Sequence, residues 1–144
     1  MSDSSAGAAS PSAARPALRV LVYSDDKTVR SSLVSGLGTR LDSRIPDLEY
    51  LEVATAPMVN RHLDAGGVDL AILDGEAVPA GGMGVAKQLR DEIEPCPPLL
   101  VITGRADDAW LASWSRADVV LSRPVDPIHL AQVVVDLLLP SVSG

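Results

Sequence analysis

Residues 68–75 read Val-Asp-Leu-Ala-Ile-Leu-Asp-Gly, an aliphatic run that ends in a carboxylate and a glycine. A run of this length and composition is typical of a strand that is covered on both faces, as in a parallel sheet. Asp74 then lies at the carboxyl end of the strand, and open α/β sheets place their ligand sites along that edge. The run therefore predicts a buried strand that delivers an acid to a candidate site.

The composition bounds the class of protein. The chain has 144 residues, of which 47% are hydrophobic, and this is enough for one domain with one core. Its net charge of -7 argues against nucleic acid or an anionic membrane as a partner, since both attract basic surfaces. No apolar run approaches the ~20 residues that span a bilayer. The single cysteine, Cys96, excludes an internal disulfide and indicates a reducing cytoplasm.

Strand-like and helix-like segments alternate along the rest of the chain. The predicted strands are 18–23, 48–53, 68–74, 99–102 and 119–121. The predicted helices are 28–41, 57–65, 83–93, 106–115 and 127–139, the last one ending before Pro140. Residues 1–16 are rich in Ser, Ala and Pro and predict a flexible tail, residues 17–140 form the domain, and residues 141–144 form a short C-terminal tail. The alternation predicts an α/β fold, a doubly wound five-stranded parallel sheet.

Polar residues follow four of the predicted strands. They are Ser24 and Asp25 after the first strand, Asp74 at the end of the third, Thr103 after the fourth and Arg123 after the fifth. In a doubly wound sheet these positions share one edge. Two carboxylates can hold a hard cation such as Mg²⁺, which favours oxygen ligands. A cation and a hydroxyl can then contact a phosphoryl group on the remaining carboxylate.

Over residues 17–139 the chain resembles the receiver domains of two-component response regulators. The matching positions are Asp25, Asp74, Gly82, Thr103-Gly104, Arg123-Pro124 and Asp126-Pro127. The resemblance implies a flavodoxin-like sheet of strand order 2-1-3-4-5 and a phospho-acceptor at Asp74. It also implies that Thr103 and Arg123 contact the phosphoryl group. The expected Mg²⁺ ligands are Asp25, Asp74 and the backbone of Gly75.

Several positions depart from the family pattern. Ser24 stands where the family has the first of two adjacent acids, and Asp26 is an extra acid one residue late. Arg123 replaces a lysine, and its planar guanidinium does not substitute for a compact ammonium. Val120 stands where an aromatic residue usually moves on activation. These departures favour a receiver fixed in one state. Arg123 then has an alternative role, a salt bridge to Asp74 or Asp25 that needs no phosphate.

Trp110 and Trp114 have i, i+4 spacing in the predicted fourth helix, in a chain without phenylalanine. The spacing is compatible with core packing and with a partner surface, because tryptophan is enriched in interface hot spots. In receivers this helix belongs to the usual output face. The resemblance therefore favours a protein contact at these two residues.

The main hypothesis is an atypical orphan response regulator, a pseudo-receiver that acts as a protein-interaction module and not as an enzyme. Only residues 141–144 follow the last predicted helix, so the output is expected to be binding through the receiver itself. The segments 22–25, 70–77 and 111–117 resemble an actinobacterial orphan receiver linked with the proton-pumping NADH dehydrogenase, complex I. By that resemblance the partner is the peripheral arm of complex I. The location is then the cytoplasm, at the inner face of the cell membrane through that complex.

Two other functions stay open at this point. One is a phosphorylation-cycled signalling receiver that accepts phosphate on Asp74 from a histidine kinase, with Mg²⁺, and whose chemistry is limited to self-phosphotransfer. The other is a flavodoxin-like cofactor binder. The second is disfavoured because Ser24, Asp25 and Asp26, rather than a glycine-rich phosphate loop, follow the first strand.

Overall fold

A parallel sheet forms the centre of the molecule in the computed structural model, which describes residues 17–78, 80–104 and 115–143. Its strands are β1 (Leu18–Tyr23), β2 (Leu48–Val53), β3 (Leu70–Asp74), β4 (Leu99–Thr103) and β5 (Val119–Ser122). They lie in the order β2-β1-β3-β4-β5, and every neighbouring pair is parallel. The predicted fold class and strand order are confirmed.

Four helices lie within these ranges. They are α1 (Lys27–Leu37), α2 (Ala56–Ala65), α3 (Gly82–Glu92) and α4 (Pro127–Ser143). The helix predicted over 106–115 lies outside the described residues except for Ser115, and so does the tail predicted over 1–16. Trp110 and Trp114 fall in the same undescribed segment.

The sheet is covered on both faces because alternate residues of each strand point to opposite sides. Leu21 and Tyr23 of β1 belong to one buried cluster, which also contains apolar residues of α2 and α3. Val20 and Val22 belong to a second cluster, with apolar residues of α1 and α4. Every residue of β3 is buried, as the aliphatic run around Asp74 predicts. The two clusters fix the sheet from both sides and leave its carboxyl edge for the site.

The prediction for the end of α1 was wrong by one turn, since the helix ends at Leu37 instead of Leu41. Gly38 ends it with a positive φ of 71°, a conformation that glycine adopts easily, and its N–H donates to the Val34 carbonyl oxygen at 2.8 Å. Leu41 still packs against the second cluster, but from the loop that follows. The i, i+4 apolar spacing therefore predicted the packing of Leu41 correctly but overestimated the length of α1.

The prediction for the end of α4 was also wrong. The helix runs through Pro140 to Ser143, so most of the predicted C-terminal tail is helical. Proline lacks the N–H that would bond four residues back, but this loss is tolerable in a last turn that packs well. Leu139 and Val142 both contact the second cluster, and their burial accounts for the extra turn.

Candidate functional site

Asp74 ends β3 as a buried carboxylate, with 4% of the residue exposed. Its Oδ2 accepts a hydrogen bond from the Ser24 hydroxyl at 2.7 Å. Its Oδ1 accepts one from the Glu76 N–H at 2.8 Å and one from Arg123 Nη2 at 2.9 Å. Both oxygens are therefore engaged by groups of the chain itself, and the negative charge is paired with a guanidinium.

The strand register explains why these groups meet. Tyr23 is level with Leu73 across β1 and β3, so the residue after Tyr23 lies beside Asp74. Thr103 is level with Ser122 across β4 and β5, and the Arg123 N–H donates to the Thr103 carbonyl oxygen at 2.9 Å. The pairing of the strands thus brings Ser24, Asp74, Thr103 and Arg123 to one edge, as the sequence predicts.

Glycines make room for the turn that follows Asp74. A Cβ at Gly75 would lie 2.9 Å from the Ile102 carbonyl oxygen. A Cβ at Gly82 would lie 2.9 Å from the Asp74 carbonyl carbon. The backbone passes too close at both points for a larger residue, so the position of the carboxylate depends on them.

Ser24 is fully buried and held from several directions. Its carbonyl oxygen accepts a hydrogen bond from Arg30 Nη1 at 2.6 Å, and its hydroxyl oxygen accepts one from the Asp26 N–H at 3.0 Å. Arg30 also pairs with Glu52 at 3.2 Å, which ties α1 to β2. The hydroxyl is consequently fixed in the direction of Asp74, at the position where the family pattern has an acid.

The two acids after Ser24 have different roles. Asp26 caps α1 by accepting the Thr28 N–H at 2.8 Å. Asp25 is exposed, and its Oδ1 accepts the Val78 N–H at 3.0 Å. Asp25 therefore ties the end of β1 to the loop after β3.

Arg123 forms the salt bridge that the sequence left as its alternative role. Its guanidinium lies 2.9 Å from Asp74 Oδ1, and its side chain is 35% exposed against 4% for Asp74. A guanidinium next to a buried carboxylate compensates part of the desolvation of the anion. The pair closes the side of Asp74 that faces β5.

Three contributors to the site were missed in the sequence. Arg30 holds Ser24, Glu76 accepts the Gly104 N–H at 3.1 Å, and the Tyr23 hydroxyl donates to the Ala80 carbonyl oxygen. The pKa of Tyr23 is raised, first by its burial and then by the negative charges of Asp25 and Asp74. The Glu76–Gly104 and Tyr23–Ala80 contacts have no local spacing signal, because they join segments that are 28 and 57 residues apart. The Arg30 contact is more local, since the side chain reaches back six residues to the Ser24 carbonyl oxygen.

The donor set argues against a divalent cation in this arrangement. Asp74 accepts three hydrogen bonds, one of them from a cation, and Asp25 accepts one from Val78. The Gly75 carbonyl oxygen faces Gly81 so closely that a Cβ there would lie 2.7 Å away. Among the described residues no three His, Cys, Asp or Glu side chains converge on a common point. Both predicted carboxylate ligands are thus engaged by donors of the chain itself, and the Mg²⁺ site stays a prediction.

No helix in the described ranges is both long and apolar enough to cross a bilayer.

Relatives and solved structures resemble the chain over most of its length, although no protein-family model matches it. A protein from two strains of Mycobacterium tuberculosis, named an uncharacterized response regulatory protein, is 62% identical over 122 residues. The match covers 85% of this chain and 92% of that protein.

Two solved receiver structures show the likeness in three dimensions. A Francisella response regulator receiver domain superimposes with a TM-score of 0.71 at 16% identity, covering 86% of this chain and 98% of that one. A Thermotoga maritima response regulator, solved with Mg²⁺ and beryllium fluoride, gives a TM-score of 0.69 at 24% identity, covering 84% and 99%. Identities this low carry the fold alone.

Proposed function

The chain belongs to the response regulators as a receiver domain, and from this premise we propose that it is a pseudo-receiver, a protein-interaction module held in one state without phosphate. The observation that carries the proposal is that both oxygens of Asp74 accept hydrogen bonds from the chain itself, from Ser24, Glu76 and Arg123. In this proposal the chain turns over no substrate. Its output is the surface that the fixed state presents.

The proposal follows from what phosphorylation of Asp74 would require. One carboxylate oxygen must attack phosphorus, so it must give up its present donors. Leaving a buried charge or its partner unpaired costs several kcal/mol. The groups that would be separated are charged or buried. The resting arrangement therefore opposes phosphotransfer.

Phosphate transfer to the protein tests the fixed state directly. The full chain is incubated with acetyl phosphate and Mg²⁺, and the intact mass is measured over time. We expect no mass increment of one phosphoryl group in the wild type. A receiver known to accept phosphate serves as the positive control. An increment in the wild type that disappears in Asp74→Asn would overturn the fixed-state proposal.

The partner we propose is the peripheral arm of the proton-pumping NADH dehydrogenase. The support is the resemblance of residues 22–25, 70–77 and 111–117 to an orphan receiver linked with that complex. The relatives in Mycobacterium tuberculosis are covered over 92% of their length, which leaves little of them outside the receiver domain. A binding role through the receiver itself fits that proportion. The protein would then be cytoplasmic and peripheral to the membrane through the complex.

Co-purification tests this partner. Complex I is isolated from detergent-solubilised membranes of cells that express the tagged chain, and the chain is quantified by immunoblot. We expect it in the same fraction as the NADH dehydrogenase activity, and Trp110→Ala with Trp114→Ala to reduce the amount. Recovery of the chain only as a free protein would contradict the proposal. So would the absence of complex I subunits from a purification through the tag of the chain.

A second candidate is a receiver that cycles between states after accepting phosphate from a histidine kinase. Asp74 at the sheet edge, with Thr103 buried on the adjacent strand, favours it. In that case Asp74 attacks the phosphorus of a phosphohistidine and the imidazole leaves. The acetyl phosphate experiment separates the two candidates, because only this one expects modification of Asp74.

A further inference from the structure

The Glu76 side chain links the turn after β3 to the end of β4. Its carboxylate Oε2 accepts the Gly104 N–H at 3.1 Å. Its own backbone N–H donates to Asp74 Oδ1 at 2.8 Å. One residue thus touches the buried acid with its backbone and the neighbouring strand end with its side chain.

Gly104 is shaped to receive this carboxylate. A Cβ at Gly104 would lie 2.9 Å from Glu76 Cδ, 3.0 Å from Cγ and 3.2 Å from Oε1. The Glu76 side chain therefore lies flat against the backbone at this point. A larger residue at position 104 would push the carboxylate away from the N–H.

The charges at this edge give the contact a consequence. Asp74 is paired with Arg123, whereas no ion pair of Glu76 is found in the described ranges. The backbone N–H groups of Glu76 and Gly104 both point to this part of the edge, and each is already bonded to a carboxylate of the chain. An external anion would have to displace Glu76 and approach its negative charge.

We propose that Glu76 is an intramolecular anionic ligand that occupies the Gly104 N–H and keeps external oxyanions, such as phosphate, away from Asp74. This inference rests on the fixed-receiver proposal and deepens it. Arg123 and Ser24 hold the acid, and Glu76 closes the approach to it. The carboxylate also ties the turn after β3 to the first residue beyond β4.

Nuclear magnetic resonance of the full chain tests the contact. The amide resonance of Gly104 is followed in the wild type, Glu76→Gln and Glu76→Ala. Glu49→Gln is the matched control, since Glu49 is an exposed glutamate paired with Arg19 at the opposite edge of the sheet. We expect the Gly104 resonance to move in both Glu76 variants and to stay in place in the control. An unchanged Gly104 resonance in Glu76→Ala would overturn the proposal.

Titration with inorganic phosphate at constant ionic strength, with chloride as the reference, tests the exclusion. Removing one carboxylate charge at contact distance from a dianion should strengthen binding by about tenfold. We expect saturable shifts at Gly104 in Glu76→Ala, at a phosphate concentration about tenfold below any response of the wild type. Equal responses in the two proteins would overturn the proposal.

The two proposals fail in different ways. Modification of wild-type Asp74 by acetyl phosphate would reject the fixed receiver whatever Glu76 does. If Asp74 is not modified, and the wild type and Glu76→Ala respond equally to phosphate, only the role of Glu76 is rejected. Dispersed spectra in Glu76→Gln show that the fold is intact before either result is interpreted.

Discussion

Two aspartate–arginine pairs lie at opposite edges of the same sheet. Asp74 pairs with Arg123 at the carboxyl edge, and Asp118 pairs with Arg90 at the amino edge. Each carboxylate also accepts a backbone N–H, from Glu76 at 2.8 Å and from Leu99 at 2.7 Å. The side chain of Asp74 is 4% exposed and that of Asp118 is 39% exposed. The same type of ion pair therefore occurs once with a buried carboxylate and once with a solvent-exposed one.

The residues around the two ion pairs also differ in their exposure to solvent. Asp74 is adjacent to the buried Ser24, so its partners replace water. The Asp118 pair continues into an exposed network, in which Arg116 contacts Asp91 at 2.6 Å and Lys87 contacts Asp91 at 2.8 Å. The pKa of Asp91 is lowered by Lys87 first and then by Arg116. This network joins α3 to the residues that precede β5. At the carboxyl edge, by contrast, the charge of Asp74 is shielded from solvent.

Removal of the arginines should separate the pairs most clearly. Arg123→Ala leaves a buried carboxylate without its cation, and we expect a loss of about 2–3 kcal/mol in the free energy of unfolding. Arg90→Ala exposes Asp118 to water and should cost about 1 kcal/mol or less. Urea denaturation at neutral pH measures both. Equal losses would mean that burial does not distinguish the two edges.

A double variant sharpens the comparison further. Asp74→Asn removes the buried charge, so adding Arg123→Ala to it should cost much less than Arg123→Ala alone. The corresponding cycle with Asp118→Asn and Arg90→Ala should show weak coupling, of about 0.5 kcal/mol, that falls in high salt. A strong, salt-sensitive coupling at Asp74 would contradict the closed arrangement.

Loss of the Ser24 hydroxyl should have the next largest effect. Ser24→Ala removes a buried donor to Asp74 and an acceptor for the Asp26 N–H, and we expect a loss of about 1–2 kcal/mol. Ser31→Ala, at an exposed position of α1, is the matched control and should change stability little. Thermal unfolding compares the two. A neutral Ser24→Ala would show that the hydroxyl does not hold Asp74.

The two tyrosines report the charge of the carboxyl edge. The pKa of Tyr23 is raised by burial and by the charges of Asp25 and Asp74, whereas burial alone raises the pKa of Tyr50 to about 12. Asp74→Asn should therefore lower the pKa of Tyr23 and leave Tyr50 unchanged. Tyrosinate absorbance in the Tyr50→Phe background isolates Tyr23. An unchanged pKa of Tyr23 in Asp74→Asn would contradict the electrostatic coupling between the two residues.

The tyrosine pKa values also fix the sign of the alkaline pH dependence. In the unfolded chain tyrosine ionises near its ordinary pKa of 10.0, and in the folded chain Tyr50 keeps its proton until about pH 12. The stability contribution is complete below pH 10 and is lost as the pH rises through 12. Tyr50→Phe should flatten this decline in the unfolding free energy.

The sequence predicted β3 and β4 well because each is a short, mainly aliphatic run that is buried throughout. It also placed Asp74, Thr103 and Arg123 at one edge, because parallel strands end there together. It did not predict that Glu76 reaches Gly104, since that contact depends on two loop conformations 28 residues apart. The extra turn after Pro140 was missed for a related reason, because tertiary packing of Val142 outweighs the local signal of a proline.

The smallest expected effect comes from the exposed end of the amino-edge network. Lys87 and Asp91 are i, i+4 neighbours on α3 at 2.8 Å, with side chains 35% and 41% exposed. Such pairs stabilise a helix by roughly 0.3–0.5 kcal/mol, and salt screens them. Loss of the Lys87–Asp91 pair in Lys87→Ala should therefore lower the unfolding free energy by about this much at low ionic strength, and high salt should reduce the loss. A loss comparable to that of Ser24→Ala would mean that the network acts cooperatively through Arg116. The exposed amino edge would then contribute as much to stability as the buried carboxyl edge.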